Sequence, residues 1–423
     1  MIIQFLPDTI MSSFNKDSLS GLSVKASTCP DNIIVVGGGR WARVLIKTIC
    51  DLVDRSVNIL IYSRSNAQFM REWVKSEKMD HKIQVFSILP EKFPTSNAVI
   101  VVNAARDHAQ TARQALLAGG SVMVEKPFTL SYSESKDLVG FSKKIGGELF
   151  AAHIFLFSRY FEKFSELVAN AGTVTSINVH WIDPQSEDRY GESKQYDSGL
   201  PVFADWLPHI LPMISTLLPG KYQSCRTLDI KKGGASVYIH LIINEVPCQI
   251  VLERDSDCRK RMMEVFCVDK KLSLDFSSEP GTITDGMDRI NGDPNWQQGL
   301  KPSALMLDAF FRGASGTNYD KRLDVSLGLN STSIVDQCAK LYIIKQLEWL
   351  VEQIENGNKL NNSLGINYAL REIFQSEGSL SNEEIANRIE RFGKVLTSDS
   401  RESWIEELRY NKNQKSIMNM GSM

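Results

Sequence analysis

Four short apolar runs alternate with three stretches of helical periodicity between residues 31 and 127. The runs NIIVV, NILIY, NAVIVV and SVMV are rich in β-branched residues, and the stretches between them repeat apolar residues every three or four positions. Strands that alternate with helices of this length predict βαβ units, which assemble into a parallel sheet with helices on both faces. The sequence therefore predicts a doubly wound α/β domain over residues 31–150.

The chain after residue 150 has shorter turns and a different strand pattern. The segments TSINVHWID, SVYIHLII, CQIVLERD and MEVFCV alternate apolar and polar residues or are rich in β-branched ones. This pattern predicts a mostly antiparallel sheet with one face covered by helices. Two helical stretches, over residues 303–312 and 331–354, complete a predicted α+β domain over residues 151–354.

Two further segments flank the predicted domains. Residues 1–30 are serine-rich and weakly periodic, which predicts a loose N-terminal extension. Residues 355–423 are polar and helical in pattern, and REIFQSEGSLSNEEIANRIERFGKV has a superficial likeness to a helix-turn-helix. The charges of this helical tail are mixed rather than basic, so DNA binding is poorly supported. We expect the tail to pack on the rest of the chain or to dock a protein partner.

Composition and charge exclude several classes of protein. A net charge of −2 gives no electrostatic basis for binding nucleic acid or an anionic membrane, and no apolar run approaches the roughly 20 residues of a membrane helix. The seven cysteines are scattered without a CxxC motif, which argues against a disulfide framework and a structural zinc site. No grouping of His, Cys and carboxylates has metal-ligand spacing. The sequence therefore predicts a cytoplasmic protein without nucleic acid, membrane or metal partners.

The turn after the first predicted strand reads Gly-Gly-Gly-Arg-Trp-Ala and fits the pattern G-x-G-x-x-A. Gly37 permits a tight turn, Gly39 lets the backbone approach a pyrophosphate, and Ala42 allows close packing of helix on strand. Arg40 and Trp41 open a helix whose N-terminus offers amide donors and positive potential. Because the turn opens the first of several βα units, it predicts a dinucleotide site rather than a purely structural glycine turn.

The end of the second predicted strand bears on which dinucleotide binds. An NAD site usually has Asp or Glu there, whereas this strand ends in Ser-Arg-Ser-Asn. Ser63 and Arg64 are suited to bind a 2′-phosphate, and no carboxylate is present in the segment to repel it. A solvated surface arginine is the alternative interpretation of Arg64. We expect NADP(H) to be preferred, with NAD(H) as the second candidate.

Five segments occur in an order that points to one family. VVGGGRWA, VVNAARDH and ALLAGGSVMVEKP follow one another in the first predicted domain, and FSRYFEKF and GTVTSINVHW open the second. The series resembles the Gfo/Idh/MocA oxidoreductase family, which includes glucose–fructose oxidoreductase and inositol dehydrogenase. The resemblance covers roughly residues 31–354, and Glu-Lys-Pro is its most specific piece. It implies an N-terminal Rossmann domain that binds NAD(P), a substrate-binding α+β domain, and hydride transfer to or from a small molecule.

The resemblance also implies roles for residues of the first domain. Asn103 and His108 match the third-strand segment that lies beside the nicotinamide ribose. Glu125 and Lys126 follow the strand that ends beside the nicotinamide, where Lys126 would be the general acid/base or the proton-relay amine. Glu125 would orient this amine, and relatives often have a cis bond before the proline that follows.

In the second domain, Asp205 and His209 stand four residues apart, which places both side chains on one face of a helix. The resemblance implies that they line the substrate pocket opposite Lys126. His209 would transfer the proton or hold the reacting hydroxyl, and Asp205 would position the substrate or His209. Arg159 and Tyr160 match the R-[FY] pair of the family segment, and they either line the pocket or knit the junction between the domains.

Departures from the family pattern leave the substrate open. Gly199-Leu200-Pro201 replaces the usual G-G-x before Asp205, and Pro212 stands where relatives often have a further Asp. Of Pro208 and Pro212, one fits a first helical turn and the other removes a backbone hydrogen bond. The expected substrate is a sugar, nucleotide sugar or cyclitol, or else a carbonyl or imine of specialised biosynthesis.

The predicted function is an NADP(H)-dependent dehydrogenase or reductase in which Lys126 and His209 handle the proton. Relatives often associate through the outer face of the second-domain sheet, so the resemblance implies a homo-oligomer. A non-catalytic dinucleotide-binding sensor that docks a protein partner is the alternative, since the altered residues around Asp205 and the added tail fit it. The retained Glu-Lys-Pro segment and the Asp205/His209 pair argue for the enzyme.

Overall fold

The structure, a computed structural model, describes residues 29–54, 56–92, 97–184, 187–189, 192–193, 200–220, 222–355, 365–366, 368–370 and 372. The predicted N-terminal extension over residues 1–30 lies almost wholly outside this part of the chain, and so does most of the predicted tail over 355–423. Within the tail, the described residues from 365 to 372 are helical, as the pattern predicted.

The first sheet is parallel throughout and consists of six strands. They are β1 (Asn32–Val36), β2 (Asn58–Tyr62), β3 (Ile83–Phe86), β4 (Asn97–Val101), β5 (Ser121–Val124) and β6 (Leu149–Ala151). Their order in the sheet is β3-β2-β1-β4-β5-β6, so the chain reverses direction across the sheet between β1 and β4. Ligands of open parallel sheets bind outside the carboxyl ends of the strands at such a reversal.

Helices cover both faces of this sheet. They are α1 (Arg40–Leu52), α2 (Ala67–Ser76), α3 (His108–Leu117) and α4 (Tyr132–Ile145). In β1, Ile33 and Val35 belong to the core that contains α1 and α2, whereas Ile34 and Val36 belong to the core that contains α3 and α4. A strand that is buried on both faces needs an apolar residue at every position, which is why these strands read as continuous apolar runs.

The second sheet has eight strands. They are β7 (Val174–Pro184), β10 (Tyr222–Lys231), β11 (Ser236–Ile243), β12 (Val246–Ser256), β13 (Lys260–Cys267), β14 (Lys271–Asp275), β15 (Thr282–Asp285) and β16 (Asp288–Asn291). Their order is β10-β11-β12-β7-β13-β14-β15-β16, and all pairs are antiparallel except β12 with β7. Two short strands, β8 (Asp188–Arg189) and β9 (Glu192–Ser193), pair separately.

Four helices connect the two sheets. They are α5 (Arg159–Ala169), α6 (Val202–Leu217), α7 (Pro302–Ala314) and α8 (Val325–Glu355). Helix α7 packs against α1, β4 and β5 of the first sheet, and α8 packs against α6 and β10 as well as α4. One apolar core therefore runs from the first sheet through α7 into the second domain.

Helix α6 continues through both of its prolines. The prediction that one of them fits a first turn is wrong, because Pro208 and Pro212 both lie in the interior of Val202–Leu217. Each proline removes one intrahelical hydrogen bond. Most of the helix is buried, including Trp206, Leu207 and Ile210, so packing holds it together where the backbone bonds are missing.

The predicted fold class is confirmed: a parallel Rossmann-type sheet, then a mostly antiparallel α+β domain. The sequence analysis did not anticipate β3, β6, β10 or β14 to β16, and β6 crosses the domain boundary predicted at residue 150. The predicted helices at 303–312 and 331–354 correspond to α7 and α8, which are both longer. Across the described ranges, no helix is long and apolar enough to cross a membrane.

Candidate functional site

The glycine turn after β1 is shaped by two close contacts with the protein itself. Gly37 has a φ of +150° and its amide donates to the carbonyl of Tyr62 at 2.9 Å. A Cβ at Gly37 would lie 2.6 Å from the carbonyl oxygen of Val102, and one at Gly38 would lie 2.4 Å from Oγ of Ser63. Any larger residue at either position would push β1 away from its neighbours, so both glycines are needed for packing.

Gly39 differs from the two glycines before it. It has an ordinary φ of −80°, and a Cβ built on it would meet no heavy atom within 4 Å. Gly39 also caps α1, whose first turn contains no acidic residue and no side chain that caps the backbone amides. The turn therefore presents open space in front of donor groups at a helix N-terminus, which suits a pyrophosphate.

The first residues of α1 have separate environments. Arg40 and Trp41 are half-buried and Ala42 is fully buried, so Ala42 packs the helix on the sheet as predicted. The indole Nε1 of Trp41 donates to Oε1 of Glu125 at 2.8 Å. This bond joins the glycine turn to the end of β5, which brings the predicted cofactor loop and the Glu-Lys-Pro segment together.

The end of β2 presents one exposed cation. Ser63 is buried, with its hydroxyl accepting from the amide of Asn66 at 3.3 Å. The side chain of Arg64 is 89% exposed, and its Nη2 lies 3.8 Å from Oδ2 of Asp107. Arg64 can therefore turn toward a phosphate, and Asp107 is the carboxylate that would compete for it.

Asn103 and His108 lie behind the end of β4. Nδ2 of Asn103 donates to the hydroxyl of Thr111 at 2.8 Å, and its Oδ1 is buried without a partner among the described residues. His108 is fully buried; its Nδ1 is 2.8 Å from the carbonyl of Pro127, and its Nε2 is 3.3 Å from the carbonyl of Asn103. Burial lowers the pKa of His108, and the neutral ring has one N–H, which it donates to one of these two carbonyls. Its predicted contact with a cofactor stays a prediction.

Glu125 holds the backbone at the end of β5. Besides the bond from Trp41, its Oε2 accepts from the amide of Lys126 at 3.0 Å. Burial raises the pKa of Glu125, against the lowering effect of these two donors. These hydrogen bonds come from the indole and from the backbone of Lys126 rather than from its amine, so the role of Glu125 in orienting that amine stays a prediction. The Lys126–Pro127 peptide bond is cis, as the resemblance implied.

The amine of Lys126 reaches across to the second domain. Its Nζ lies 2.5 Å from Oδ1 of Asp205 and 3.3 Å from the backbone carbonyl of the same residue. The other oxygen of Asp205 accepts from Nη2 of Arg254 at 2.9 Å. One carboxylate in the first turn of α6 therefore holds two cations, one from each domain. The side chain of Lys126 is 23% exposed, so it remains within reach of a substrate.

The charge state of Asp205 follows from these contacts. Burial raises the pKa of Asp205, but the cations of Lys126 and Arg254 outweigh burial and bring it well below its ordinary value. A position in the first helical turn also favours a negative charge. Asp205 is therefore ionised throughout the physiological range, and it acts as an anchor for Lys126 rather than as a proton donor.

His209 lies one turn beyond Asp205 against aromatic rings. Its imidazole stacks on Trp181, with ring centroids 5.7 Å apart and planes 5° apart, and it meets Phe155 edge-on at 5.1 Å. Burial and the charge of Lys126 bring the pKa of His209 well below its ordinary value. The ring is therefore neutral at physiological pH and can accept a hydrogen bond. The helical spacing of Asp205 and His209 was predicted correctly.

Beside them, His153 follows β6 in a small cavity that is also lined by Lys126, Pro208 and Ser331. Both nitrogens of His153 are buried without a hydrogen-bond partner among the described residues, and burial lowers its pKa to about 4. A neutral imidazole with two unused polar atoms therefore lies behind the lysine.

Arg159 and Tyr160 begin α5. Tyr160 is 1% exposed and packs against Trp296, and a Cβ at Gly292 would lie 2.4 Å from Cβ of Tyr160. A Cβ at Gly299 would similarly lie 2.8 Å from Nη1 of Arg159. These contacts pack the start of α5 against later strands and loops. The predicted position of Arg159 or Tyr160 in the substrate pocket stays a prediction.

Arg254 is the functional residue that the sequence analysis missed. It is 2% exposed and lies on β12, where Cys248, Ile250 and Leu252 occupy the preceding buried positions. An arginine that continues the buried face of an alternating strand is a signal of a buried anionic partner, because an unpaired charge is too costly there. In the segment CQIVLERD this alternation was visible but not used.

The residues at this edge fit a nicotinamide dinucleotide. The open space at Gly39, the uncapped N-terminus of α1 and the unpartnered Oδ1 of Asn103 offer a cradle for phosphates and an acceptor for a hydroxyl or amide group. Arg64 stands where a 2′-phosphate would lie. No group of three or more His, Cys, Asp or Glu side chains in the described part of the chain could hold a metal ion.

The fold and the glycine turn define the first domain as a dinucleotide-binding Rossmann domain. Residues 32–153 match the model of the Gfo/Idh/MocA oxidoreductase family, NAD-binding Rossmann fold. This match confirms the predicted resemblance over the first domain. The "Uncharacterized oxidoreductase YdgJ" of Escherichia coli (strain K12) is 28% identical over 166 residues, which are 38% of this chain and 47% of that protein. The chain thus aligns with about half the length of this curated relative.

Solved structures share the fold of both domains. "UDP-N-acetylglucosamine 3-dehydrogenase GnnA" from Acidithiobacillus ferrooxidans is 18% identical, with a TM-score of 0.57 over 73% of this chain and 96% of that one. "KijD10, a 3-ketoreductase" from Actinomadura kijaniata, in complex with TDP-benzene and NADP, is 16% identical, with a TM-score of 0.59 over 73% and 96%. At these identities the similarity concerns the fold alone.

Proposed function

We propose that the chain is an NADP(H)-dependent oxidoreductase that transfers a hydride between nicotinamide and the carbonyl, alcohol or imine carbon of a small molecule. The observation that carries this proposal is the contact between Lys126 and Asp205. It places a charged amine at the carboxyl end of β5, on the sheet edge that bears the glycine turn and opposite the helix of the second domain. A bound nicotinamide would supply or accept the hydride there.

Asp205, Lys126 and His209 have different roles in the proposed proton transfer. Asp205, held ionised by two cations, fixes the direction of the Lys126 amine. In the direction of reduction, the Lys126 ammonium donates a proton to the substrate oxygen or nitrogen. In the direction of oxidation, the same amine takes the proton back from the substrate hydroxyl, and the neutral ring of His209 accepts a hydrogen bond that holds this hydroxyl in place.

The aromatic surroundings bear on the class of substrate. Trp181 and Phe155 form an apolar wall around His209, and Pro212 replaces a further carboxylate. Of the similar structures, one is named a UDP-N-acetylglucosamine 3-dehydrogenase and another a 3-ketoreductase. Both observations support a ring-shaped carbonyl or hydroxyl compound that is less hydroxylated than a free hexose, such as a deoxy or nucleotide-linked sugar or an intermediate of specialised biosynthesis.

The proposal also includes association with other protein chains. We expect a homo-oligomer that pairs the outer faces of the second sheet, and a protein partner for the tail beyond residue 372. Both can be checked by the mass of the particle in solution, with and without that tail.

The cofactor assignment is tested by titrating the full chain with NADPH and with NADH, following tryptophan fluorescence. We expect tighter binding of NADPH. Arg64→Ala should weaken NADPH binding by about tenfold to a hundredfold, the range for a charge-assisted hydrogen bond, and leave NADH binding unchanged. Asp107→Asn should act in the opposite direction and strengthen NADPH binding a few-fold, because it removes the carboxylate that lies 3.8 Å from Arg64.

A matched control is Arg71→Ala, which removes an equal charge from the exposed face of α2. Equal effects of the Arg64 and Arg71 variants would assign the preference to net charge alone. Failure of both nucleotides to bind would overturn the enzyme assignment. Binding of NADPH without reduction of any member of a panel of sugar ketones, other carbonyls and imines would favour the non-catalytic sensor instead.

A further inference from the structure

The tail returns to the body of the molecule in a docked segment, which comprises residues 365, 366, 368–370 and 372. Its first residue approaches the backbone of the turn between β10 and β11. A Cβ at Gly233 would lie 2.0 Å from the carbonyl oxygen of Gly365, and a Cβ at Gly365 would lie 2.9 Å from the backbone of Lys232. Gly233 also has a φ of +68°. Two glycines facing each other therefore permit a contact that any other residue would block.

The apolar side of the docked segment is part of the protein interior. Ile366 is 1% exposed, and Ala369 and Leu370 are fully buried. Burial of this kind is the main source of stability for a short helix, which would be marginal in isolation. The docked segment is thus held in one place by packing, independently of its polar contacts.

The polar side of the docked segment carries two groups that face α8 and β12. Oε2 of Glu372 accepts from the hydroxyl of Tyr342 and from Nε2 of Gln346, the latter at 2.7 Å. The hydroxyl of Tyr368 lies 3.4 Å from Nη1 of Arg254. The negative charge of Glu372 and the positive charge of Arg254 also attract each other.

Arg254 connects this cluster to the candidate active site. Its Nη1 donates to the carbonyl of Leu200 at 2.9 Å as well as to Tyr368, and its Nη2 donates to Asp205. The guanidinium is rigid and planar, so fixing one nitrogen also fixes the direction of the other. The carboxylate that receives Nη2 is the one that holds Lys126.

We propose that the docked segment is a positioning element of the candidate active site: Tyr368 and Glu372 fix Arg254, which fixes the Asp205 carboxylate and with it the Lys126 amine. The segment lies outside residues 32–153, where the chain matches the family, and within the tail that follows the catalytic domains. The catalytic meaning of this contact rests on the function proposed for Lys126, but the contact itself can be measured separately.

The experiment measures how fast the Lys126 amine reacts in the full chain. Trace acetylation with acetic anhydride, followed by mass spectrometry of the peptides, gives the rate at Lys126 and at Lys47, which pairs with Glu77 on the surface of the first domain. In the wild type the short contact with Asp205 protects Lys126. Asp205→Asn removes this contact directly and sets the maximal increase in rate.

Tyr368→Phe removes a hydrogen-bond partner of Arg254, and Glu372→Gln removes a charge that attracts Arg254. Each should speed acetylation of Lys126 by about two- to tenfold, with no change at Lys47. Both substitutions keep the shape of the side chain, so the docked segment keeps its packing. Tyr319→Phe is the matched control, because it deletes a hydroxyl that donates to Asp324 at 2.9 Å elsewhere in the second domain. It should leave both rates unchanged.

Two results would overturn the proposal. In the first, Lys126 reacts at the wild-type rate in both tail variants, whether or not Asp205→Asn changes it. In the second, Lys126 and Lys47 accelerate together, which is the result of a general loosening of the fold. The nucleotide titration is independent of this measurement. A protein that binds neither NADPH nor NADH yet shows the selective acceleration at Lys126 would retain the positioning role and lose the enzymatic one.

Discussion

The second domain buries two aspartate–arginine pairs that differ in how their contacts are shared. In the closed pair, Nε and Nη2 of Arg261 bond to the two oxygens of Asp183 at 2.9 and 2.6 Å. In the open pair, Arg254 gives Asp205 a single bond of 2.9 Å. The other oxygen of Asp205 accepts from the amine of Lys126. The other terminal nitrogen of Arg254 contacts the carbonyl of Leu200 and the hydroxyl of Tyr368 in the docked segment.

The difference in contacts suggests that the closed pair stabilises the fold and that the open pair belongs to the candidate active site. A bidentate pair balances one charge with one charge and directs both carboxylate oxygens at one guanidinium. The closed pair is accordingly fully buried, with the guanidinium of Arg261 over the ring of Trp181 at 4.4 Å. The open pair places two cations on one carboxylate, so the cation at its edge, Lys126, can be drawn to another partner. We therefore expect a substrate to reach the open pair and not the closed pair.

The largest expected effect concerns the cation at the edge of the open pair. Lys126→Met keeps the length of the side chain and removes the amine. We expect turnover to fall by about 10²- to 10⁴-fold, the contribution of a positioned acid–base group, while NADPH still binds. Turnover is measured with the carbonyl compound that the wild-type protein reduces fastest.

The control for this prediction is Lys47→Met, which removes an amine from an exposed ion pair with Glu77. Its turnover should equal that of the wild type. If Lys126→Met kept more than about a tenth of the wild-type turnover, the lysine would not be the proton donor, since that loss is smaller than a general acid normally contributes.

The next effect compares the two arginines by stability. Arg261→Met leaves the Asp183 carboxylate buried without its bidentate partner, and we expect the free energy of unfolding to fall by about 3–5 kcal/mol. Arg254→Met should cost less, about 1–3 kcal/mol, because Lys126 still neutralises Asp205. Urea unfolding of both variants measures the difference, and equal losses would mean that Lys126 does not share the charge of Asp205.

The layout of the first sheet could be predicted from the sequence because strands buried on both faces must be apolar throughout. The strands that were missed lack this signal. In β3, Ile83 is the one buried residue, and β6 has only three residues, so neither run stands out from its surroundings. The continuity of α6 through Pro208 and Pro212 was also missed, since it depends on tertiary packing that local rules do not contain.

The residues of the candidate site also fall into those with a local sequence pattern and those without one. Glycines, the Glu-Lys-Pro segment and the spacing of Asp205 and His209 are local patterns, so the sequence indicated them. Arg254 is 128 positions from Lys126 in the chain, and their common carboxylate becomes visible only in three dimensions. The hydrogen bonds of Glu125 with an indole and a backbone amide were likewise not visible in the sequence, and its role in orienting the lysine amine stays a prediction.

The last expected effect tests whether the open pair extends to the tail. Burial raises the pKa of Glu372 from 4.5 to about 7, so the folded state holds this proton more tightly than the unfolded state. The group therefore contributes stability that is complete below about pH 4.5 and is lost as the pH rises through about 7. Glu372→Gln cannot titrate and lacks this dependence.

Relative to Glu372→Gln, the wild type should lose up to about 3 kcal/mol of unfolding free energy between about pH 4.5 and about pH 8. Urea unfolding of both proteins across this range measures the difference, and Glu352→Gln, at an exposed position of α8, is the matched control. Arg261→Met does not serve as a second control, because it leaves the buried Asp183 carboxylate without its cation and so adds a pH dependence of its own. A Glu372→Gln curve parallel to that of the wild type would mean that the carboxylate is not buried beside Arg254, and the open pair would then end at Tyr368.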